Sequence, residues 1–327
     1  MIYQDPVYGK VNIKEPVIIE LINSKPVQRL KKISQHGPSV YNENYKKRIL
    51  TRFEHSLGVV LLLQRLNCSI EEQVAGLLHD VGHAVFSHTI DFLFPEYKGE
   101  FDKKFHKELV KNSDIPKILN KHKIDIVEVL NFNNFSVLEK DLPDLCADRV
   151  DYFLRDPFFP KKLNRKFVLN NLITVNGTLV FKGKDIAIEF SKNYLKMNHL
   201  FWARPLDEIL YFLMVDIFKI GLKNKFITEN DLFITEKDFL KKIKKVNSKG
   251  IKQRLYLIEN LKISQIKVYK ERHSNSYFIR SKIRVIDPMV LNQEKISRLS
   301  EVSEVYKKTK EEFIKNTPKE RWIGYEI

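Results

Sequence analysis

The sequence predicts a mostly α-helical protein with a small β component and a basic, mixed α/β C-terminal lobe. Apolar residues recur at helical spacing in long segments such as TRFEHSLGVVLLLQRL, from residue 51, and LPDLCADRVDYFLRD, from residue 142. Short β-prone runs punctuated by Asn-Gly lie between helical segments at about 167–190. Hydrophobic residues make up 43% of the 327 residues and charged residues 30%, which is typical of a globular chain.

The N-terminal elements follow from local signals. Residues 1–20 alternate weakly between apolar and polar, which predicts a short hairpin ahead of a helix. Pro26 suits the first turn of a helix and Gly37 its end. Ser69, followed by Glu72, is a capping-box signature at the start of SIEEQVAGLLHDVG. The segment at 51–66 is apolar almost all round, as expected of a helix inside a bundle.

The later elements suggest two units. We expect residues 1–220 to form a helical domain with a β-hairpin insertion at about 167–190. We expect residues 221–327 to form a lobe packed on it, with a strand in SYFIRSKIRVIDP. That lobe carries 25 Lys+Arg against 14 Asp+Glu in a chain of net charge +16. Such a surface could attract nucleic acid, although the scattered positions of the basic residues favour a merely solvated face.

The cysteine content and the hydropathy of the sequence indicate the cellular compartment of the protein. Cys68 and Cys146 are far apart and form no C-x-x-C pair, which predicts a reduced, cytoplasmic environment. The N-terminus lacks the pattern of a signal peptide. The apolar run at 57–63 is too short to span a bilayer, so we expect no membrane association.

The segment AGLLHDVGHAVFSH at 75–88 places several ionisable side chains in an apolar context, where burial is costly unless they are paired. If this segment is helical, His79 and His83 share one face, with Asp80 beside them. Imidazole nitrogens and carboxylate oxygens together suit a divalent metal ion. The alternative is a pair of hydrogen-bonded core histidines with a capping aspartate.

Two further segments offer compatible side chains. RFEHSLGVVLLL places Arg52 and His55 three residues apart at the start of a buried helix. ADRVDYFLRD offers carboxylate, phenol and carboxylate on one helical stripe, with a guanidinium beside it. These are Asp148, Tyr152 and Asp156, next to Arg149. A solvated outer face is the alternative interpretation of that stripe.

The order His55, His79–Asp80, Asp148 resembles the HD-domain metal-dependent phosphohydrolases. The flanking segments DPVYGKVNI, PVQRLKKISQHG, TRFEHSLGV, LLHDVGHAVFSH and ADRVDYFLRD extend the likeness over residues 5–220, and more loosely beyond. They point to the deoxynucleoside triphosphate triphosphohydrolase branch, which includes a eukaryotic enzyme with an added sterile-alpha-motif domain. We find no segment that matches that added domain. The resemblance implies an HD-domain helical bundle.

The resemblance also implies roles for individual residues. The metal ligands would be His55, His79, Asp80 and Asp148, holding a divalent iron, manganese, zinc, nickel or magnesium ion. The catalytic group would be His88, Asp91 and His106, in which a carboxylate raises the pKa of an imidazole that acts as general acid. The substrate would be bound by Gln35, Arg52, His83, Arg149, Tyr152, Asp156 and Arg204. Of these, the three arginines would bind phosphates, Tyr152 phosphate or sugar, and Asp156 together with Gln35 the sugar 3′-hydroxyl.

The expected activity is therefore metal-dependent hydrolysis of a (deoxy)nucleoside triphosphate to nucleoside and triphosphate, by a homo-oligomer. A nucleotide phosphomonoesterase or phosphodiesterase is one alternative. A nucleic-acid-binding protein with a structural metal site is another. His36 stands where the family usually has leucine, which leaves selectivity for deoxyribose over ribose open.

Overall fold

The computed structural model describes residues 1–94, 101–281 and 283–326. It is 53% helical, which confirms the prediction of a mostly α protein. The helices are α1 (Pro16–Ile22), α2 (Lys25–Arg29), α3 (Arg52–Arg65), α4 (Ile70–Leu78), α5 (Thr89–Leu93), α6 (Phe101–Lys111), α7 (Ile115–Lys121), α8 (Ile126–Val129), α9 (Ala147–Arg155), α10 (Arg165–Asn170), α11 (Lys184–Met197), α12 (Pro205–Lys223), α13 (Glu236–Lys244), α14 (Lys249–Asn260), α15 (Leu299–Val302) and α16 (Glu304–Asn316).

The strands are β1 (Ile2–Asp5), β2 (Gly9–Asn12), β3 (Leu172–Val175), β4 (Thr178–Phe181), β5 (Ile266–Tyr269), β6 (Ser276–Arg280), β7 (Met289–Asn292), β8 (Lys295–Arg298) and β9 (Glu320–Tyr325). They form three small sheets. A hairpin of β1 and β2 precedes α1, as predicted. A four-stranded sheet has the order β3-β4-β7-β8, and a three-stranded sheet has the order β5-β9-β6.

Two predicted β segments are shorter in the structure. Within 167–190 the strands occupy only 172–175 and 178–181, and the flanking residues belong to α10 and α11. Asn164 caps α10 by accepting a hydrogen bond from the Phe167 amide, which favours helix where we expected strand. Asn176 and Gly177 both have positive φ, 47° and 69°, and make the turn of the hairpin. Similarly, SYFIRSKIRVIDP is a strand only up to Arg280, and residues 283–288 are irregular.

The hairpin is joined to the C-terminal part of the chain. Strand β4 pairs in parallel with β7, with Val180 opposite Met289. The apolar core likewise combines residues from the N-terminal and C-terminal parts of the chain. One cluster lies around α3, α4, α9 and α11 and includes Tyr306, while a second lies around α12, α13 and α14 and includes apolar residues of 84–93. Position 220 lies inside α12. Both apolar clusters contain residues from before and after this position. The predicted domain boundary at 220/221 therefore stays a prediction.

A capping box fixes the start of the helix that carries Arg52 and His55. The Glu54 amide donates to the Thr51 hydroxyl, and the Glu54 carboxylate accepts a hydrogen bond from the Thr51 amide. Because the box sets where α3 begins, it also sets which side chains of its first turn face inward. Both Arg52 and His55 are buried.

The predicted box at Ser69 is only half formed. The Ser69 hydroxyl accepts a hydrogen bond from the Glu72 amide at 3.1 Å. The Glu72 carboxylate instead accepts from the amides of Val137 and Leu138, at 3.0 and 2.9 Å. It therefore ties α4 to the segment that leads into α9. In the described part of the chain, no helix is long and apolar enough to cross a membrane.

Candidate metal centre and its surroundings

Three separate segments bring the four candidate ligands together. Helix α3 carries His55, the end of α4 delivers His79 and Asp80, and the first turn of α9 carries Asp148. The Nε2 atom of His55 lies 2.9 Å from Asp148 Oδ1 and 3.9 Å from Asp80 Oδ2. The Nε2 atom of His79 lies 3.4 Å from Asp80 Oδ1 and 3.8 Å from Asp148 Oδ1. His55, His79 and Asp80 thus offer ligand atoms close enough together to share one ion, and Asp148 contacts both imidazoles from the side of α9.

Hydrogen bonds on the far side of each imidazole orient it for metal binding. The Nδ1–H of His55 donates to Asp151 Oδ2 at 2.8 Å, and the Nδ1–H of His79 donates to the Gly76 carbonyl at 2.7 Å. Each ring therefore turns Nε2 toward the carboxylates, where this nitrogen can bind either a proton or a metal ion. The Nε2 atom of His79 is buried and has no hydrogen-bond partner within the described residues. A buried nitrogen left in this way is costly unless it is a ligand, so the residues fit a metal ion.

A turn, rather than a helix face, brings His83 to this cluster. Helix α4 ends at Leu78 and His79 is its C-cap, so the expected helical pairing of His79 with His83 is wrong. Asp80 and Gly82 favour a turn, and the His83 amide donates to the Asp80 carbonyl. The His83 side chain then reaches Asp80 Oδ1 from another direction, at 3.0 Å from Nε2.

A buried ion-pair network behind His55 was not predicted from the sequence. Asp151, which orients His55, also accepts hydrogen bonds from the Tyr8 hydroxyl at 2.8 Å and from Arg155 Nε. The Arg155 guanidinium in turn donates to Asp5 at 2.9 Å. The Asp5, Asp151 and Arg155 side chains are fully buried. The available signal was the i, i+4 pair Asp151–Arg155, which lies on α9 directly beside the stripe of Asp148, Tyr152 and Asp156.

Gly58 makes room for this network. A Cβ atom added there would lie 2.0 Å from Arg155 Nη2 and 2.2 Å from Asp151 Oδ1. Any side chain at this position of α3 would therefore push the Asp151 carboxylate away from His55. In a sequence, a glycine inside a long apolar helix indicates a position where other groups pack closely against the helix.

The charges of the cluster favour an additional cation. Burial alone would lower the pKa of His55, but its hydrogen bonds to Asp148 and Asp151 outweigh this and raise the pKa to about 10. Burial would raise the pKa of Asp80, yet Arg52, His79 and His83 hold it well below its usual value. With neutral imidazoles, the network has two more carboxylates than guanidinium groups, which suits a divalent ion. It comprises Asp5, Asp80, Asp148 and Asp151 against Arg52 and Arg155.

The predicted catalytic group is only partly assembled. His88, the N-cap of α5, lies with Nδ1 3.1 Å from Asp91 Oδ2, and its ring meets that of His83 edge-on at 5.2 Å. His106, on α6, instead donates its Nε2–H to the Leu78 carbonyl at 2.6 Å. The expectation of a raised imidazole pKa is wrong here. Burial lowers the pKa of His88 despite Asp91, and burial lowers that of His106 to about 4.

The three arginines predicted to bind phosphate are each engaged within the chain. Arg52 Nη1 donates to both oxygens of Asp80, at 3.0 and 2.9 Å, so it also orients a candidate ligand. Its Nη2 atom is buried and has no hydrogen-bond partner within the described residues. Arg149 contacts Cys146 and Glu139, and Arg204 donates to Asp207.

The residues predicted to bind the sugar lie in a row of contacts that leads away from the metal ligands. The ring of Tyr152 lies 6.4 Å from that of His55 and 5.1 Å from that of Trp202. The indole N–H of Trp202 donates to Asp156 Oδ2 at 2.9 Å, and His36 Nε2 lies 3.2 Å from the same oxygen. His36, rather than the predicted Gln35, is therefore the neighbour of Asp156.

Gln35 and His36 differ in their surroundings. The Gln35 Oε1 atom is buried and lacks a hydrogen-bond partner in the residues described. His36 contacts Asp156 through Nε2 and the Tyr45 hydroxyl through Nδ1, the latter at 3.0 Å. The rings of His36, Tyr45 and Phe158 also pack together. His36 is thus built into the wall beside the predicted sugar position.

Comparison with known proteins supports this interpretation. A model of the HD domain family matches residues 52–156, which include all four candidate ligands. The uncharacterized protein YdhJ of Bacillus subtilis is 34% identical over 308 residues, covering 93% of each chain. The metal-dependent phosphohydrolase cns2 of Cordyceps militaris is 33% identical over 221 residues, 64% of this chain and 63% of that protein. The crystal structure of a phosphohydrolase from Bacteroides thetaiotaomicron shares the fold over 100% of both chains, with a TM-score of 0.73 at 17% identity.

The likeness to the triphosphohydrolase branch is more local. Deoxynucleoside triphosphate triphosphohydrolase SAMHD1 of Xenopus laevis is 33% identical over 108 residues, which is 28% of this chain and 17% of that protein. The resemblance inferred from the sequence is confirmed at the level of the shared domain. The substrate class rests on a much shorter stretch of similarity.

Proposed function

The chain belongs to the HD-domain family of metal-dependent phosphohydrolases, and we propose that it hydrolyses (deoxy)nucleoside triphosphates to nucleoside and triphosphate. The observation that carries the proposal is the meeting of His55, His79 and Asp80 in a region of excess negative charge, with Asp148 in contact with both imidazoles. The substrate class is supported by the aromatic and carboxylate groups that continue from this point through Tyr152 and Trp202 to Asp156.

The four candidate ligands would hold a divalent cation, which when bound acts as a Lewis acid toward a phosphoryl group. Arg52 Nη2 is the donor left to bind a phosphate oxygen, while its Nη1 keeps Asp80 ionised and oriented. Burial of these groups excludes water and strengthens their interactions with a charged substrate.

Proton transfer to the leaving 5′-oxygen would fall to His88, with Asp91 orienting its ring. His106 is fixed on the Leu78 carbonyl and contributes by holding the backbone that precedes His79. At the other end of the substrate, Asp156 would accept a hydrogen bond from the sugar 3′-hydroxyl. His36, beside it, could also bond to a 2′-hydroxyl, so we propose that ribonucleotides are accepted as well.

A nucleotide panel tests the proposal. Protein loaded in turn with Fe²⁺, Mn²⁺, Zn²⁺, Ni²⁺ or Mg²⁺ is incubated with each ribo- and deoxyribonucleoside triphosphate, and the products are separated by chromatography. Release of nucleoside and triphosphate supports the proposal. Release of inorganic phosphate indicates a phosphomonoesterase instead. A parallel incubation with a phosphodiester substrate tests the other alternative, and cleavage of the diester alone indicates a phosphodiesterase. If no metal yields any hydrolysis product that Asp80→Asn abolishes, the proposal is wrong.

Nucleic-acid binding is a second candidate function, favoured by one observation in the C-terminal region. Strand pairing places Tyr269, Trp322 and Phe278 in a row across the three-stranded sheet, with Phe278 42% exposed. The side chains of Lys267 and Arg280 lie on the same face. Aromatic rows with basic neighbours suit the stacking of single-stranded bases.

Fluorescence anisotropy with a labelled single-stranded oligonucleotide tests this second function. Binding should weaken steeply as salt rises, persist in Asp80→Ala and fall in Trp322→Ala. Affinity that does not change with salt, or that Trp322→Ala leaves intact, would exclude it. We also propose a homo-oligomer on the resemblance alone, and light scattering at several protein concentrations tests that state.

A further inference from the structure

A buried glutamate beyond the matched HD region is connected to the metal centre. Glu236 is the first residue of α13 and is 3% exposed. Its Oε1 atom accepts hydrogen bonds from the amides of Ser34 at 2.9 Å and Phe86 at 3.1 Å, and its Oε2 atom accepts one from the Tyr41 hydroxyl at 2.7 Å. The Ser34 hydroxyl also lies 2.8 Å from Oε1. One carboxylate therefore joins α13 to two segments that are distant in sequence.

One of these segments has a backbone conformation that needs external support. Phe86 and Ser87 have φ values of 60° and 53°, the left-handed region that non-glycine residues rarely adopt. The main chain here is held by the residues just before α13. The Val85 amide donates to the Leu232 carbonyl at 2.8 Å, and the Phe86 amide donates to Glu236.

Arg29 strengthens the same connection from the other side. Its Nη2 group donates to the carbonyls of Val81 at 3.0 Å and His83 at 2.6 Å, within the turn that follows Asp80. Its Nη1 group lies 3.4 Å from the Ile234 carbonyl, two residues before Glu236. The segment 232–236 thus contacts the 81–88 turn directly at Val85 and Phe86, and through Arg29 at Val81 and His83.

The strained segment leads directly to a metal ligand. The Ser87 hydroxyl donates to the Ser34 carbonyl at 2.5 Å and accepts a hydrogen bond from Arg52 Nε at 2.9 Å. Arg52 holds both oxygens of Asp80 through Nη1. A shift of Ser34 or Phe86 would therefore move Ser87, and with it the guanidinium that orients Asp80.

We propose that Glu236 is a positioning residue for the metal centre. It fixes the Ser34 and Phe86 segments, and through Ser87 these fix Arg52 against Asp80. The proposal rests on the metal centre of the proposed function and assigns part of its geometry to the C-terminal region of the chain. All partners of Glu236 are donors, so an acceptor of the same length at this position is what the site requires.

The test is the affinity of the metal-free protein for Co²⁺, followed by the visible absorption of the bound ion, which reports ligand geometry without any substrate. Glu236→Ala removes every acceptor, and we expect affinity to fall about 10- to 100-fold, with a changed Co²⁺ spectrum. Glu236→Gln keeps an oxygen in place of Oε1 and should restore most of the affinity and the wild-type spectrum. Glu236→Asp, whose carboxylate is withdrawn by one methylene, should fall between them and replaces the alanine variant if that one does not fold.

Asp287→Ala is the matched control. Asp287 is also a buried carboxylate of the C-terminal region, and it accepts hydrogen bonds from the Ser300 amide and Lys310. We expect its loss to lower the melting temperature without changing Co²⁺ affinity. Wild-type affinity in folded Glu236→Ala or Glu236→Asp, or an equal loss of affinity in Asp287→Ala, would overturn the proposal. Absence of Co²⁺ binding by the wild-type protein would instead refute the metal centre itself.

Discussion

His55 and His106 are equally inaccessible, at 0% and 3% exposure, yet the fold shifts the pKa values of their imidazoles in opposite directions. Burial lowers the pKa of both. At His55, Asp148 and Asp151 reverse this and raise the pKa to about 10, whereas at His106 the Leu78 carbonyl does not, and the pKa falls to about 4. The carboxylate partners therefore decide the outcome, because each contributes a full charge. One region is built to hold a cation and the other to keep an imidazole neutral.

The protonation states of these histidines bear on how a proton could be transferred at the site. A histidine that faces two carboxylates binds either a proton or a metal ion, and the ion gains from the same negative charge. His88 and His106 are not protonated in advance at neutral pH. In the proposed mechanism, His88 would therefore gain its proton when the charged substrate binds, since phosphate oxygens would add negative charge beside it.

The sharpest way to test the comparison is to remove a carboxylate partner of His55 and, separately, that of His88, whose pKa is also lowered by burial. Asp148→Asn takes a charged contact from His55, and Asp91→Asn takes one from His88. We expect Asp148→Asn to lose at least roughly 100-fold in metal affinity, more than is lost when an outer partner of a ligand is removed. Asp91→Asn should keep its metal and lose kcat. Calorimetric titration with Mn²⁺, together with steady-state kinetics, measures both. Equal metal affinity in the two variants would show that the regions do not differ in the way described.

Asp151→Asn should have the next largest effect. It leaves the ligand set intact but weakens the hydrogen bond that orients His55, and it leaves Arg155 short of a charged partner in a fully buried position. We expect metal affinity to fall about 10- to 100-fold. The free energy of unfolding should fall by about 3 kcal/mol, because a buried ion pair is broken. Denaturant titration of the metal-free variant separates the two effects, and unchanged stability would argue against the buried network.

The sequence predicted the candidate ligands but not this network, and the reason is the distance between partners along the chain. His79 and Asp80 are adjacent, and the flanking segments are specific, so local patterns were sufficient. Asp5 and Arg155 are 150 residues apart, and their pairing depends on how the N-terminal hairpin packs on α9. The same limit applies to Glu236 and Phe86, which are also 150 residues apart.

Where the sequence prediction of the site was wrong, local geometry was responsible. His79 and His83 were expected on one helical face, but α4 stops at Leu78 and a turn brings them together. The protonation of His88 could not be derived from the spacing to Asp91 either. The spacing predicts the contact correctly, whereas the direction of the pKa shift depends on desolvation and on the charges that the rest of the chain brings near the ring, Arg52 and His83 among them.

The pH dependence of folding stability tests whether His106 is held as a neutral imidazole, in contrast to His55. Its pKa is about 4 in the fold against 6.5 for an ordinary histidine, so between these values the unfolded chain binds a proton that the folded chain does not. Stability from this group is complete above pH 6.5 and is lost as the pH falls toward 4, by roughly 3 kcal/mol in total. His106→Gln can still donate to Leu78 and should remove this slope. Denaturant unfolding at intervals from pH 4 to 7 checks it, and identical slopes in both proteins would contradict the burial of a neutral imidazole.

The smallest expected effect concerns a third histidine–carboxylate contact, which lies at the proposed sugar-binding position. His36 lies 3.2 Å from Asp156 and is partly exposed, so it can exchange this contact for one with a ligand hydroxyl. His36→Leu removes that option and places an apolar group beside the sugar. One hydrogen bond is worth about 1 kcal/mol, so we expect the ratio of kcat/KM for ribo- over deoxyribonucleotide to fall about fivefold. Because the metal centre is untouched, metal affinity should stay at the wild-type value. If the ratio does not change while activity persists, His36 supports the fold of the wall and does not read the 2′-hydroxyl.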